Sequence, residues 1–503
     1  MRLTKQKALP RGAGVLLPIS ALPSPYGIGT LGKAAENFID FLQEAGQRYW
    51  SILPIGPTGF GDSPYQSFSA FAGNPYFIDL DSLCQEGLLY PNEMTAIDWG
   101  EDPTLVDYGK LFQSRLALLK KAFSRARHRA EGAYFSFCTQ KQDWLDDYAV
   151  FMTLKERFGY QSFSAWPTAL RQHKADALQE LRPELEESIA FWKYLQFLFF
   201  KQWQHLRAYA EEKGIVLMGD LPIYVAPDSA DLWASPGLFQ LDQAGHPTAV
   251  AGVPPDRFAK TGQRWGNPLY NWTAMEQDDF AWWKRRIQAA AGFYEILRID
   301  HFIGLSRYYA IPADSQTAER GEWREGPGKR LFTALEEAKG TLCLVAEDLG
   351  VMTEEGQSLL ANTGLPGMKV LEFAFDSGAE NAHLPFHYPH NCVVYGGTHD
   401  NETLTGFFAQ QTLAQTAFAQ AYLQVDKKEE LPQAVMRAAY ASVADVAILQ
   451  AQDWLLLGNE ARMNTPAVLG GNWRWRIQKE QLTPQLAAHL RALAALYGRT
   501  PAN

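Results

Sequence analysis

"LRIDHFIGL", residues 297–305, is an apolar run interrupted by three ionisable side chains in four positions, Arg298, Asp300 and His301. Side chains two apart on a strand share a face, so Arg298 and Asp300 point the same way. Two readings follow. One is a strand end closed by a buried ion pair. The other is a carboxylate held ionised at the mouth of a barrel. A regular strand would turn His301 to the opposite face, so a shared role for His301 requires the strand to end at Asp300.

Similar apolar runs recur along the chain, each ending in polar or glycine-rich residues: "GVLLPIS" (14–20), "YWSILPIG" (49–56), "GIVLMGDLPIYV" (214–225), "ILRIDHF" (296–302), "LCLVAEDLG" (342–350), "MKVLEFAF" (368–375), "CVVYGGTHD" (392–400) and "DVAILQAQDWL" (445–455). They are near-continuous rather than alternating, the pattern of parallel strands buried on both faces. Helical patterns over 31–46, 280–294, 329–340 and 354–364 separate several of them. Strands alternating with helices, eight times, predict a (β/α)8 TIM barrel filling residues 1–503 as a single catalytic domain.

The spacing is uneven. Between the second and third runs, helical patterns over 108–130, 144–159 and 187–214 predict a mostly helical insertion subdomain, taken as 84–212. The stretch 250–272 is rich in Gly and Pro and carries Trp265, Tyr270 and Trp272; it is expected to be a long lid loop over a cleft. The tail 482–500 reads as a last packing helix, with no separate C-terminal β-domain.

Bulk properties narrow the function. A net charge of -10 argues against nucleic acid. No run approaches the roughly 18 apolar residues of a membrane span. Four scattered cysteines, Cys84, Cys138, Cys343 and Cys392, form no CxxC pair and suit a reducing compartment. The basic N-terminus has too short an apolar run for a signal peptide, so a cytoplasmic location is expected. Aromatic residues make up 13% of the chain. A bulky core accounts for part of that; the rest fits a sugar cleft, where aromatic faces cover the C–H faces of pyranose rings and Tyr and Trp add a polar tip.

Two motifs mislead. "GIGTLG" (27–32) matches the dinucleotide fingerprint, but it lies beyond a turn rather than directly after a strand, and no acidic residue closes the next strand. "FHYPHNC" (386–392), with His399 nearby, offers zinc ligands in a spacing that fits no standard site, so no metal is expected. Three strand ends remain: Asp300, Glu347 and Asp400. All C-terminal strand ends of a barrel meet at one mouth. Any one carboxylate there is explained by capping the next helix. Three together have their pKa values pushed apart, giving an ionised nucleophile and a protonated acid, the equipment for glycoside cleavage with retention.

With these residues in view, the sequence closely resembles the amylomaltases, the 4-α-glucanotransferases (disproportionating enzymes) of glycoside hydrolase family 77 in the α-amylase clan. The resemblance runs through "LPSPYGIGTLG", "GDSPYQSFSAFAGNPYFIDLD", "GDLPIYVAPDSADLWA", "GVPPDRFAKTGQRWGNPLYNW", "RIDHFIGL", "VAEDLG", "GMKVLEFAF", "GTHDNET" and "NTPAVLGGNWRWR". It implies that Asp300 is the nucleophile, Glu347 the acid/base and Asp400 the transition-state stabiliser. Arg298, His301, His399 and Asp220 match positions around the reacting sugar. Asp256, Phe258, Gln263 and Trp265 match residues that close over the glucan, and Ser63, Tyr65 and Asn464 match glucan contacts.

The resemblance further implies partners, namely maltodextrins, α-1,4-glucans and glucose, and no cofactor. The chain departs from the pattern at Arg257 (many relatives have Tyr), Glu372 (Gln is usual) and Ala467 (in "NTPAV" for the usual "NTPGT"). The alternatives are a maltodextrin hydrolase of the same clan and a catalytically silent glucan-binding protein.

Overall fold

The computed structural model describes residues 6, 8–127, 132–255, 259–350 and 353–501. In chain order the strands are β1 (Gly12–Leu16), β2 (Tyr49–Ser51), β3 (Val216–Leu221), β4 (Ala249–Val253), β5 (Gln263–Pro268) and β6 (Ile296–Ile299). There follow β7 (Arg307–Pro312), β8 (Glu322–Glu325), β9 (Cys343–Ala346), β10 (Gly367–Val370), β11 (Cys392–Tyr395) and β12 (Val446–Gln450).

Each of the eight apolar runs contains a strand of one parallel sheet, ordered β10-β11-β12-β1-β2-β3-β6-β9. Gly12 of β1 pairs with Val446 of β12, Tyr49 of β2 with Val216 of β3, and Ile296 of β6 with Cys343 of β9. The ends of the order meet where Ala346 N–H donates to Pro366 O at 2.9 Å, which closes the (β/α)8 barrel. β1, β2, β6, β11 and β12 are buried throughout, which is why they read as unbroken apolar runs. Several strands stop short of their runs at proline, which has no N–H for the ladder: β1 before Pro18, β2 before Pro54 and β3 before Pro222.

Helices fill the chain between β2 and β3, among them Tyr108–Arg125, Gln142–Arg157 and Ala175–Glu212. The last has 38 residues and serves two parts of the molecule. Around its middle, Trp192 meets Tyr148, and Phe191 meets Phe123. Further along, Trp203 packs edge-on against Phe293 and Tyr294, on the barrel helix Ala281–Phe293 and its cap. The insertion is thus joined to the barrel through the inside of a continuous helix.

The stretch 250–272 departs from the expected loop. It contains most of β4 and all of β5, which belong to a second, antiparallel sheet ordered β5-β4-β7-β8. Ala249 pairs with Pro312 and Gly252 with Tyr309. Asn267 Nδ2 donates to Val225 O at 2.8 Å and Tyr270 Oη to Ile223 O at 2.8 Å, fastening this sheet to the segment after β3. Tyr270 is fully buried, whereas Trp265 and Trp272 are half-buried rather than exposed. Asp256, Arg257 and Phe258 lie outside the described residues.

The C-terminal helix Pro484–Leu496 packs on the helix Lys33–Glu44, with Arg491 Nε donating to Glu44 O at 2.6 Å. At the N-terminal end of the barrel strands the buried Arg499 guanidinium donates to the carbonyls of Gly12, Ala439, Tyr440, Ser442, Ala444 and Asp445.

Candidate active site

β6 ends at Ile299, and the next residue, Asp300, is tied to the neighbouring strand by its N–H donating to Leu221 O at 3.0 Å. His301 then takes a left-handed conformation, φ 51°. The face alternation of the strand is broken there, and that settles the question its sequence raised. His301 N–H donates to Glu347 Oε2 at 2.7 Å, and the imidazole meets Trp265 edge-on with ring centres 4.8 Å apart. The turn after β6 therefore ties the Asp300 segment to Glu347 through the N–H groups of His301 and Phe302, the latter donating to Glu347 O at 3.1 Å.

Arg298 and Asp300 do form the ion pair. Arg298 Nη1 lies 3.0 Å from Asp300 Oδ1 and 2.7 Å from Asp220 Oδ2, with Asp220 arriving at the end of β3. Arg298 Nε faces Met368 Sδ at 3.3 Å. Tyr65 Oη donates to Asp220 Oδ2 at 2.9 Å and lies 3.3 Å from His399 Nδ1. The Tyr65 and His399 rings stack with centres 4.9 Å apart, and Trp473 backs both. Asp400 is fixed from the far side: Asn464 Nδ2 donates to Asp400 Oδ1 at 2.6 Å and Arg462 Nη2 to Asp400 O at 2.8 Å. His399 Nε2 stands 3.5 Å from Asp400 Oδ2.

The electrostatics differ between the acids. Burial raises Glu347, and its contacts are two backbone donors, His301 N–H and Leu349 N–H. Burial also raises Asp300, with Arg298 pulling it back down through direct contact. The direct guanidinium contact favours the ionised form of Asp300, whereas burial favours the protonated form of Glu347. Burial lowers His301 to about 4, so its ring is neutral near pH 7.

The structure brings together Asp300, Glu347, Arg298, His301, Asp220, Tyr65, His399, Asp400, Asn464 and Trp265 in one chain of contacts. Gln263 joins through Trp265, whose Nε1 donates to Gln263 Oε1 at 3.2 Å. Ser63 joins through Tyr65, whose N–H donates to Ser63 Oγ at 3.3 Å. Asp256 and Phe258 fall outside the described residues.

The chain as a whole matches known proteins. A family model described as 4-alpha-glucanotransferase covers residues 17–483. The chain belongs to the 4-alpha-glucanotransferase family. It is 48% identical over 497 residues to the 4-alpha-glucanotransferase of Thermus thermophilus, covering 97% of this chain and 98% of that one. It is 45% identical over 496 residues to that of Streptococcus pneumoniae, covering 98% of each. Among solved structures, an amylomaltase from Streptococcus agalactiae in complex with acarbose superposes with a TM-score of 0.95 at 43% identity, covering 98% of this chain and all of that one. As a 4-alpha-glucanotransferase, the protein is an enzyme, a transferase acting on glucans.

For this glucanotransferase, sequence reasoning missed Trp473 and Arg462. Trp473 stands in the quoted "NWRWR", but nothing in that pattern shows that it backs the Tyr65–His399 stack. Arg462 binds a backbone carbonyl, which leaves no mark in sequence. The other cluster weighed there does not converge. His387 Nε2 bonds Ala379 O at 2.8 Å and Cys392 Sγ donates to Pro389 O at 3.1 Å. Among the described residues no group of three or more His, Cys, Asp or Glu is placed to hold a metal, and no helix is long and apolar enough to cross a membrane.

Proposed function

We propose that this 4-alpha-glucanotransferase moves segments of an α-1,4-glucan from a maltodextrin donor to the 4-hydroxyl of glucose or of another maltodextrin, with Asp300 as nucleophile, Glu347 as acid/base and Asp400 as the group that binds the flattened sugar ring. Asp300 Oδ attacks the anomeric carbon. The bond from that carbon to the 4-oxygen of the leaving sugar breaks, and the Glu347 proton passes to that oxygen. The β-linked glucosyl-enzyme is then opened by the 4-hydroxyl of the acceptor, whose proton returns to Glu347, so the α configuration is retained. Asp400 and His399 hold donor hydroxyls most tightly as the ring flattens, which favours the transition state over the ground state. The observation that carries the assignment is the unequal support of the two acids: Arg298 Nη1 contacts Asp300 directly, whereas the hydrogen bonds to the Glu347 carboxylate come from the backbone N–H groups of His301 and Leu349.

Arg298, Asp220, Tyr65, His301 and Asn464 line the donor site in this reading, with Ser63, Asp256, Phe258, Gln263 and Trp265 bounding the glucan path. The second sheet acts as the lid: Trp265 reaches His301 from β5 and shields the intermediate from water. The reaction calls for no cofactor. Four free cysteines support a reducing, cytoplasmic setting.

Maltotriose alone tests the proposal. Transfer yields glucose together with a ladder of longer maltodextrins, resolved by chain length over time. Only shorter products would identify a hydrolase of the same clan, and binding without turnover a silent glucan-binding protein. Asp300→Asn is expected to reduce glucose release by at least about a thousandfold; a variant that keeps substantial release overturns the nucleophile assignment.

A further inference from the structure

The turn that presents His399 and Asp400 follows β11, and beneath it lies a polar pocket short of cations. Glu372, just past β10, is 3% exposed, and Asp453, just past β12, is 1% exposed. Glu372 N–H donates to Gly396 O at 3.1 Å. Its carboxyl presses on Gly397, where any Cβ would collide with Glu372 Oε1 and lie 3.0 Å from Gln450 Nε2. Asn401 also reaches the carboxyl, and its own Oδ1 accepts from Thr398 N–H at 2.9 Å and Thr398 Oγ1 at 2.8 Å. Glu372 therefore touches the turn at both ends.

Three buried oxygens there lack a donor: Glu372 Oε1, Gln450 Oε1 and Asp453 Oδ2. Gln450 Nε2 is already spent on Glu402 O, and Asp453 Oδ1 on Leu404 N–H. The charged groups facing Glu372 are Asp453, Glu402 and Arg462, and Arg462 is engaged by Glu402 at 3.7 Å and by Asp400 O. A proton on one of the carboxyls gives such a set a donor, and burial raises both Glu372 and Asp453. Burial, followed by Asp453 and Glu402, drives Glu372 well above the usual carboxylate range.

We infer that Glu372 is a positioning residue for glucan transfer: held as a neutral carboxylic acid, it wedges Gly397 and Asn401 so that the turn aims His399 and Asp400 at the donor sugar. A protonated carboxyl has the shape and the donor–acceptor pair of an amide, which accounts for acid standing where the family resemblance has Gln. The inference rests on Asp400 acting on the donor sugar.

The test compares wild type, Glu372→Gln, Glu372→Leu and Asp400→Asn on maltotriose, with Tm measured across pH. Glu372→Gln keeps kcat within about twofold, and Glu372→Leu loses kcat by about tenfold or more with KM little changed, because the wedge acts on the transition state. Equal kcat in Glu372→Leu and wild type overturns the inference, as does loss of activity in Glu372→Gln. Asp400→Asn with full activity overturns the underlying assignment whatever Glu372 does. If Glu372→Leu does not fold, Tm decides. A group whose folded pKa is raised stabilises less as pH rises, so the Tm advantage of Glu372→Gln grows from acid to alkaline pH. A constant difference overturns the neutral-acid reading.

Discussion

Arg298 holds two acids with one nitrogen, and its side chain is only 8% exposed. Replacing it with Ala leaves Asp220 and Asp300 facing one another without a cation. The loss of stability is expected to be about 3–5 kcal/mol, the usual result of stripping one partner from a buried ion pair. Activity changes in a directed way. The cation lowers Asp300, so removing it raises that carboxyl further and the acid limb of the kcat/KM profile moves to higher pH. A pH–rate profile of the variant checks this; an unmoved acid limb contradicts the pairing. Much of this was legible at residue scale. The two-residue spacing of Arg298 and Asp300 alone places them on one face. The left-handed turn at His301 was not legible, because His, although enriched among non-glycine residues at positive φ, adopts it in only a small minority of cases. Nor was the upward shift of the Glu372 carboxyl, which depends on its burial and then on Asp453 and Glu402 from distant parts of the chain.

Elements were readable in proportion to how they are buried. The barrel strands announce themselves because neighbours cover both faces. The second sheet was hidden: Gly252 and Gly266 interrupt the alternation by which β4 and β5 would be recognised, Pro254, Pro255 and Gly262 between them read as loop, and the strand that extends the sheet from β4, β7, comes only after barrel strand β6. If the sheet is the lid proposed above, it governs the fate of the intermediate. Trp265→Ala removes the ring that meets His301 and opens the glucosyl-enzyme to water. The expected outcome is a several-fold rise in the ratio of reducing ends released to glucan transferred, with overall donor cleavage falling less than tenfold, read from the same maltotriose time course. An unchanged ratio would remove the lid role from β5.

The whole molecule divides its labour along the barrel axis. The carboxylates gather at the C-terminal strand ends, while Arg499 gathers backbone carbonyls at the N-terminal ends, joining the chain's last turn to β1 and to the lead-in of β12. Arg499→Ala strands several buried acceptors at once. The expected cost is about 3 kcal/mol or more, seen as a lower Tm, while kcat measured well below that Tm stays within about twofold. Strand number and parallel order were legible in the sequence. The sharing of the helix Ala175–Glu212 between insertion and barrel was not, since a helical pattern shows an apolar stripe without saying which neighbour covers it.

The barrel is also unevenly sewn. Among the described residues seven neighbouring pairs of barrel strands carry parallel ladders, but β9 and β10 meet through Ala346 N–H to Pro366 O, reinforced by Met368 N–H donating to the Asp348 carboxylate at 2.6 Å. Fewer backbone bonds therefore cross that seam than cross any of the seven laddered ones. Glu347 stands at one lip and Glu372 just past the other. The acid proposed to protonate the leaving sugar and the residue proposed to support the sugar-binding turn thus stand on opposite sides of the one barrel seam, among the described residues, that has no parallel ladder.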